Sequence, residues 1–151
     1  MSKLEDFLSA KEEEEIIEAI RTAESSTSGE IRVHIEKSHG EKDIFERAME
    51  VFHILKMDNT KQENGVLIYV AVEDRDFVIY GDRGINHVVP GDFWESTKDI
   101  IVAHFKAGNF KQGLIDGILK AGEQLKTHFP WSADTRDELP NTISRGNATK
   151  E

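Results

Sequence analysis

Apolar residues recur along the chain at two periods, and the alternation between them sets out its elements. Ser9 followed by Glu12 reads as a capping box, and Ile16, Ile17, Ile20 and Ala23 then fall on one face of a helix running to about Ser25. After the turn Ser25 to Gly29, Ile31, Val33 and Ile35 alternate with Arg32, His34 and Glu36, the pattern of a half-buried strand. The helical period returns at Ile44, Phe45, Ala48, Val51, Phe52 and Leu55, and this second helix is expected to end near Met57. Val66 to Val72 is apolar on both faces and reads as the central strand; Phe77 to Tyr80 returns beside it after the turn Glu73 to Asp76.

A glycine-bearing loop, Gly81 to Gly91, leads to Asp92, which with Glu95 is expected to cap a third helix carrying Phe93, Trp94, Thr97, Ile100, Ile101 and Phe105. The last helix starts near Phe110 and carries Leu114, Ile118, Leu125 and Phe129, with Gly113, Gly117 and Ala121 four apart. That small-residue stripe reads as a smooth face on which a neighbouring helix lies close, and Pro130 ends the helix. The order is α-β-α-β-β-α-α, an α/β fold built on a mixed sheet with helices on its faces. A strand, crossover helix and strand in one sheet are normally parallel.

With 151 residues there is room for one domain, placed at residues 1–131, followed by a polar, flexible tail at 132–151. Nineteen basic against 29 acidic side chains give a net charge of −10. Such a field repels nucleic acid and anionic membranes and attracts cations and basic partners. The absence of cysteine excludes disulfides, thiolate zinc sites and a thiol nucleophile. The start of the chain does not read as a signal peptide, and no apolar run reaches membrane length. A cytoplasmic monomer without membrane insertion is the expectation.

Topology gathers candidate chemistry at one rim of the sheet. Glu30 precedes the first strand, Asn64 precedes the second, and Asp82 follows the antiparallel return, so all three belong at the same end. Asp92 comes ten residues later. Glu30, Asn64, Asp82 and Asp92 form an oxygen-rich set of the type that takes Ca²⁺, with Mg²⁺ as its smaller competitor. Each also has a plainer role: Asp92 as a cap, Asn64-Gly65 as a turn, Glu30 as a solvated strand edge. The opposite rim carries Glu73, Asp74 and Asp76. There, Asp74-Arg75-Asp76-Phe77-Val78 resembles the nucleophile motif of haloacid-dehalogenase phosphatases, but the residues after Asp76 read as a returning strand, making the segment a hairpin turn. No nucleophile elbow, P-loop or dinucleotide fingerprint is present, and the six histidines lack zinc spacing. His53 and His104 read as core or boundary residues, and His87 lies in the loop near the acidic rim.

Several segments together resemble the TPM-domain family: Thr27 to Ile35 (TSGEIRVHI), Asn64 to Val72 (NGVLIYVAV), Phe77 to Ile85 (FVIYGDRGI), Pro90 to Trp94 (PGDFW) and Phe105 to Phe110 (FKAGNF), with Gly113 and Gly117. The resemblance spans about residues 9 to 130. It implies a three-layer α/β/α, Rossmann-like sandwich. Family members include a thylakoid-lumen protein tied to photosystem II repair and a nematode modulator of acetylcholine receptors. Acid phosphatase activity is attributed to the plant branch, and divalent-cation binding, particularly of calcium, to the fold. Glu30, Asp82 and Asp92 occupy acidic positions of these family-like motifs. Unlike many relatives, the chain shows neither a signal peptide nor an anchor, and it resembles a stand-alone bacterial-type member. Two expectations result. One is a Ca²⁺-binding module that regulates an unidentified protein partner. The other is a metal-assisted acid phosphatase in which Asp82 is the catalytic carboxylate and Arg83 clamps phosphate.

Overall fold

The computed structural model describes residues 8–131, apart from 59 and 61, and the short segment 143–145. Its first helix, α1 (Ala10–Glu24), opens on the expected capping box: the Glu12 amide donates to Ser9 Oγ at 3.1 Å, and the Ser9 amide donates to Glu12 Oε1 at 2.9 Å. β1 (Glu30–Glu36) leads to α2 (Ile44–Ile54), which Asp43 caps by accepting from the Phe45 and Glu46 amides. β2 (Gly65–Ala71) and β3 (Asp76–Gly81) form the hairpin. A one-turn helix, α3 (Arg83–Asn86), precedes α4 (Glu95–Lys106) and α5 (Phe110–His128), and β4 (Ile143–Arg145) closes the order.

The sheet runs β3-β2-β1-β4. β1 lies parallel to β2 and to β4, while β3 returns antiparallel on β2, so the sheet is mixed. The expected element order is corrected at two places. The loop after β3 winds one turn of helix because Asp82 caps it, its Oδ1 accepting from the Arg83 amide at 2.7 Å. Three residues of the segment read as a polar tail, Ile143–Arg145, pair with Val33, His34 and Ile35. The remainder of that tail lies outside the described residues.

Strand alternation distributes the apolar side chains between two cores. Ile31, Val33 and Ile35 of β1, with Val66, Ile68 and Val70 of β2, pack into a large core with α1, α4 and α5. The other phase of β2, Leu67, Tyr69 and Ala71, packs with Ala48, Val51 and Phe52 of α2 and with Met57. β1 is not half-buried as its alternation suggests: His34 and Glu36 are buried too, beneath the α2 side of the sheet. The small-residue stripe of α5 serves close packing. A Cβ added at Gly113 would sit 2.9 Å from His104 Cβ and one at Gly117 2.6 Å from Ile101 Cγ1, both on α4; beside the stripe, one at Gly122 would sit 2.7 Å from Ala23 Cβ of α1. No helix among the described residues is long and apolar enough to cross a membrane.

Candidate functional site

Parallel pairing of β1 with β2 and antiparallel return of β3 place three of the four expected residues at one rim. The Glu30 amide donates to the Asn64 carbonyl at 3.3 Å, and the Asp82 amide donates to the Gly65 carbonyl at 3.0 Å. Glu30 is the first residue of β1 and is buried, which excludes the solvated-edge reading. Asn64 is buried as well; its Nδ2 donates to Ser28 Oγ at 3.3 Å, so Oδ1 is the atom it has to offer a cation.

Asp82 has the least ordinary environment of the set. Its Oδ1 is used in capping α3, but its Oδ2 is buried with no hydrogen-bond partner among the described residues. Burial pushes its carboxyl above the ordinary range; the Arg83 amide opposes this, and the charges of Glu63 and Asp58 add to it. Asp58 is also felt on β3, where burial, Asp82 and Asp58 raise the Tyr80 phenol. Asp58 and Glu63 both come from the connection between α2 and β2, and the sequence pattern did not select them.

That connection is pressed against α3. The Gly84 amide donates to the Glu63 carbonyl at 2.8 Å, and a Cβ at Gly84 would lie 2.0 Å from the Gln62 carbonyl oxygen. Only glycine permits so close an approach of the two backbones. The Arg83 guanidinium is held by Glu63, with Nε donating at 2.8 Å and one terminal nitrogen closer still. A phosphate at this rim would have to displace Glu63 before Arg83 could clamp it.

Asp92 is exposed, and its charge is not among those acting on Asp82, which are those of Glu63, Asp58 and Arg83. Its expected capping role is corrected too: α4 starts at Glu95 with Trp94 in the cap position, and no side chain caps it. The Trp94 indole instead packs against the end of β3, with Nε1 3.6 Å from the position of a Gly81 Cβ. His87 is an exposed C-cap of α3.

The other histidines have partners that the pattern did not supply. His53 is exposed and pairs with Asp58 at 2.9 Å, while His104 pairs across α4 and α5 with Asp116 at 2.9 Å. His34 stacks on Tyr69 with ring centroids 5.9 Å apart and lies 3.4 Å from Glu36. Glu36 itself is fully buried at the far end of β1. It accepts from Arg47 Nε at 2.9 Å, from Arg47 Nη2 at 2.5 Å and from the Tyr69 hydroxyl. Burial alone would raise its pKa, but the hydrogen bonds from Arg47, His34 and Tyr69 outweigh burial and hold it far below the carboxylate range. At the hairpin, Asp74 accepts from Ser38 Oγ and the His39 amide, so it fastens the loop after β1.

Calcium accepts carboxylate, amide, hydroxyl and backbone oxygens in irregular geometry. Among the described residues, no three His, Asp or Glu side chains stand together as a ready-made metal cage. The buried, unsatisfied Asp82 oxygen shares its rim with Asn64 and Glu30, and the negative charges of Asp58 and Glu63 act on it.

The chain matches the family model described as the TPM domain over residues 1–124. No curated protein matches it. Among solved structures it is similar to the BA42 protein of the psychrophilic bacterium Bizionia argentinensis, determined by NMR, at 66% identity and a TM-score of 0.90, covering 97% of this chain and all of that one. An N-terminal domain of a P. gingivalis protein shares the fold at 23% identity and a TM-score of 0.68, covering 82% and 79% of the two chains. So does the N-terminal domain of cg2496 from Corynebacterium glutamicum, at 12% identity and a TM-score of 0.61, covering 90% and 79%.

Proposed function

The chain belongs to the TPM-domain family, and we propose that it is a Ca²⁺-binding module that regulates a protein partner. The observation that carries this reading is the buried Asp82 Oδ2, a carboxylate oxygen with no hydrogen-bond partner among the described residues and with Glu63 and Asp58 adding negative charge. A buried unpaired oxygen of this kind costs stability unless a donor or a cation satisfies it. Calcium at the rim would supply positive charge to Asp82, Asp58 and Glu63 together. Asp82 and Glu30 would offer carboxylate oxygens and Asn64 its amide oxygen. Loop oxygens in irregular array suit Ca²⁺ better than Mg²⁺, which demands near-octahedral ligands.

The partner is read from the surface. Phe45 and Met49, one turn apart on α2, are 50% and 39% exposed, a paired apolar feature of the kind that marks protein contacts. The acidic surface favours a partner with basic groups around that contact. We read the architecture as the three-layer α/β/α, Rossmann-like sandwich that the family resemblance implies. Phosphomonoester hydrolysis at the rim is the less supported reading, because Arg83 is already engaged by Glu63.

Thermal melts in chelator and in millimolar calcium test the module reading, with wild type beside Asp82→Asn. Calcium at a hundred times its Kd stabilises by about 2.7 kcal/mol, which raises Tm by roughly 5–10 °C in a domain of this length. Asp82→Asn is expected to lose that response while remaining folded in chelator. A variant that keeps the full calcium response would show that Asp82 is not a ligand.

A further inference from the structure

At the opposite end of the hairpin the chain builds a second feature, unrelated to the acidic rim. Val70 near the end of β2, Val72 just after it and Phe77, the second residue of β3, are faced by the elbow between α4 and α5 with Phe105 and Phe110. Gly108, at a φ of +79°, makes that elbow tight. Phe105 sets its ring against Phe77 at 5.5 Å and 68°, and against Phe110 at 5.3 Å and 65°. Between the elbow and the strand ends lies a pocket of about 540 Å³, within the range of small-molecule sites. It opens at the carboxyl end of a parallel strand, where open α/β sheets bind their ligands.

The charges at this pocket run against those of the molecule. The chain carries a net charge of −10, yet the pocket is lined by Arg75 and Lys106. Both are exposed, and among the described residues neither forms an ion pair. This holds although Glu73, Asp74 and Asp76 flank Arg75 in sequence. Glu73 reaches Lys37 at 4.0 Å, Asp74 is held by Ser38 and His39, and Asp76 Oδ1 accepts its neighbour's Phe77 amide at 2.9 Å. Asp76 is the one carboxylate in the lining. Two cations against one carboxylate leave a single positive charge beside an aromatic, apolar wall.

We infer that this pocket binds a medium-chain carboxylate, the alkyl body against Phe77, Phe105 and Phe110 and the carboxylate between Arg75 and Lys106. A single negative charge on the ligand balances the lining, whereas a dianion would meet Asp76. Apolar burial supplies the affinity and the two cations select the head group. The site lies a whole strand from Asp82, about 20 Å for seven residues, so it stands or falls independently of calcium.

The test is amide NMR of the full chain in chelator, titrated with decanoate below its aggregation concentration. Decanol, which lacks the charge, and acetate, which lacks the chain, are the comparison probes. Decanoate is expected to shift the amides of Val72, Arg75, Phe77, Phe105 and Phe110 saturably, with decanol weaker and acetate without effect. The double variant Arg75→Gln/Lys106→Gln changes two exposed side chains, so its fold is safe; it should weaken decanoate binding about tenfold and leave decanol unchanged. Decanol binding as tightly as decanoate, an unchanged double variant, or no saturable shift at these amides would each overturn the assignment.

Discussion

Replacing Arg47 by methionine should destabilise the domain by about 3–5 kcal/mol, although no ligand is involved. The magnitude comes from what is left behind. Glu36 is fully buried, and Arg47 satisfies both of its oxygens at 2.9 and 2.5 Å while itself only 12% exposed. Methionine keeps the buried stem of the arginine but removes the counter-charge, so a buried carboxylate remains with the Tyr69 hydroxyl and His34. The lost contact from Arg47 to Glu50 adds at most about 1 kcal/mol, because Glu50 is substantially exposed. Urea unfolding at neutral pH reads the change directly as a fall in midpoint at constant slope. Adding Glu36→Gln to Arg47→Met should recover a large part of the loss, since the amide removes the uncompensated charge and still accepts from Tyr69. If Arg47→Met cost less than about 1 kcal/mol, the pair would be behaving as an exposed one, and the burial argument would fail.

Acid unfolding should separate two carboxylates whose pKa values move in opposite directions. Glu36 is held below its ordinary 4.5, so its contribution is complete above that pH and is lost as pH falls through its lower folded value. Asp82 is raised above 3.8, so it costs stability above its folded pKa and that cost is relieved as pH falls toward 3.8. In chelator, Asp82→Asn should therefore be more stable than wild type near neutrality, with the advantage gone below pH 3.8; a pH-independent difference would contradict the desolvation argument. Gly84→Ala should cost about 1–3 kcal/mol, because its Cβ meets the Gln62 and Glu63 carbonyls at 2.0 and 2.6 Å, and it should weaken calcium binding with it. An unchanged melting temperature would mean that the loop yields freely. Gly117→Ala pushes a methyl to 2.6 Å from Ile101, and its packing cost should exceed the roughly 1 kcal/mol gained in helix propensity, giving a net loss in thermal melts.

The rim was legible because strand direction alone decides which end a residue occupies. A parallel pair and a hairpin return bring Glu30, Asn64 and Asp82 together whatever the loops do. Loop paths carry no such periodicity, so the pattern does not select Asp58 and Glu63 and misassigns the cap before α4. Asp92 followed by Glu95 has the spacing of a capping box. The packing of Trp94 against the end of β3 instead delays the helix until Glu95. Glu36 and His34 looked solvated because they alternate with Ile35 and Val33. The counter-charge that buried Glu36 requires comes from Arg47, which one sequence cannot pair with a strand end eleven residues away. β4 is three residues long, too short to show alternation, and only its pairing with β1 identifies it.

A calcium titration of the chelator-treated chain, followed by amide NMR, bears most directly on the proposed function. Saturable shifts are expected at Glu30, Asn64, Gly65 and Asp82 to Asn86, with Asp58 and Glu63 moving alongside. Shifts confined to Glu73 to Asp76, or none at millimolar calcium, would contradict it.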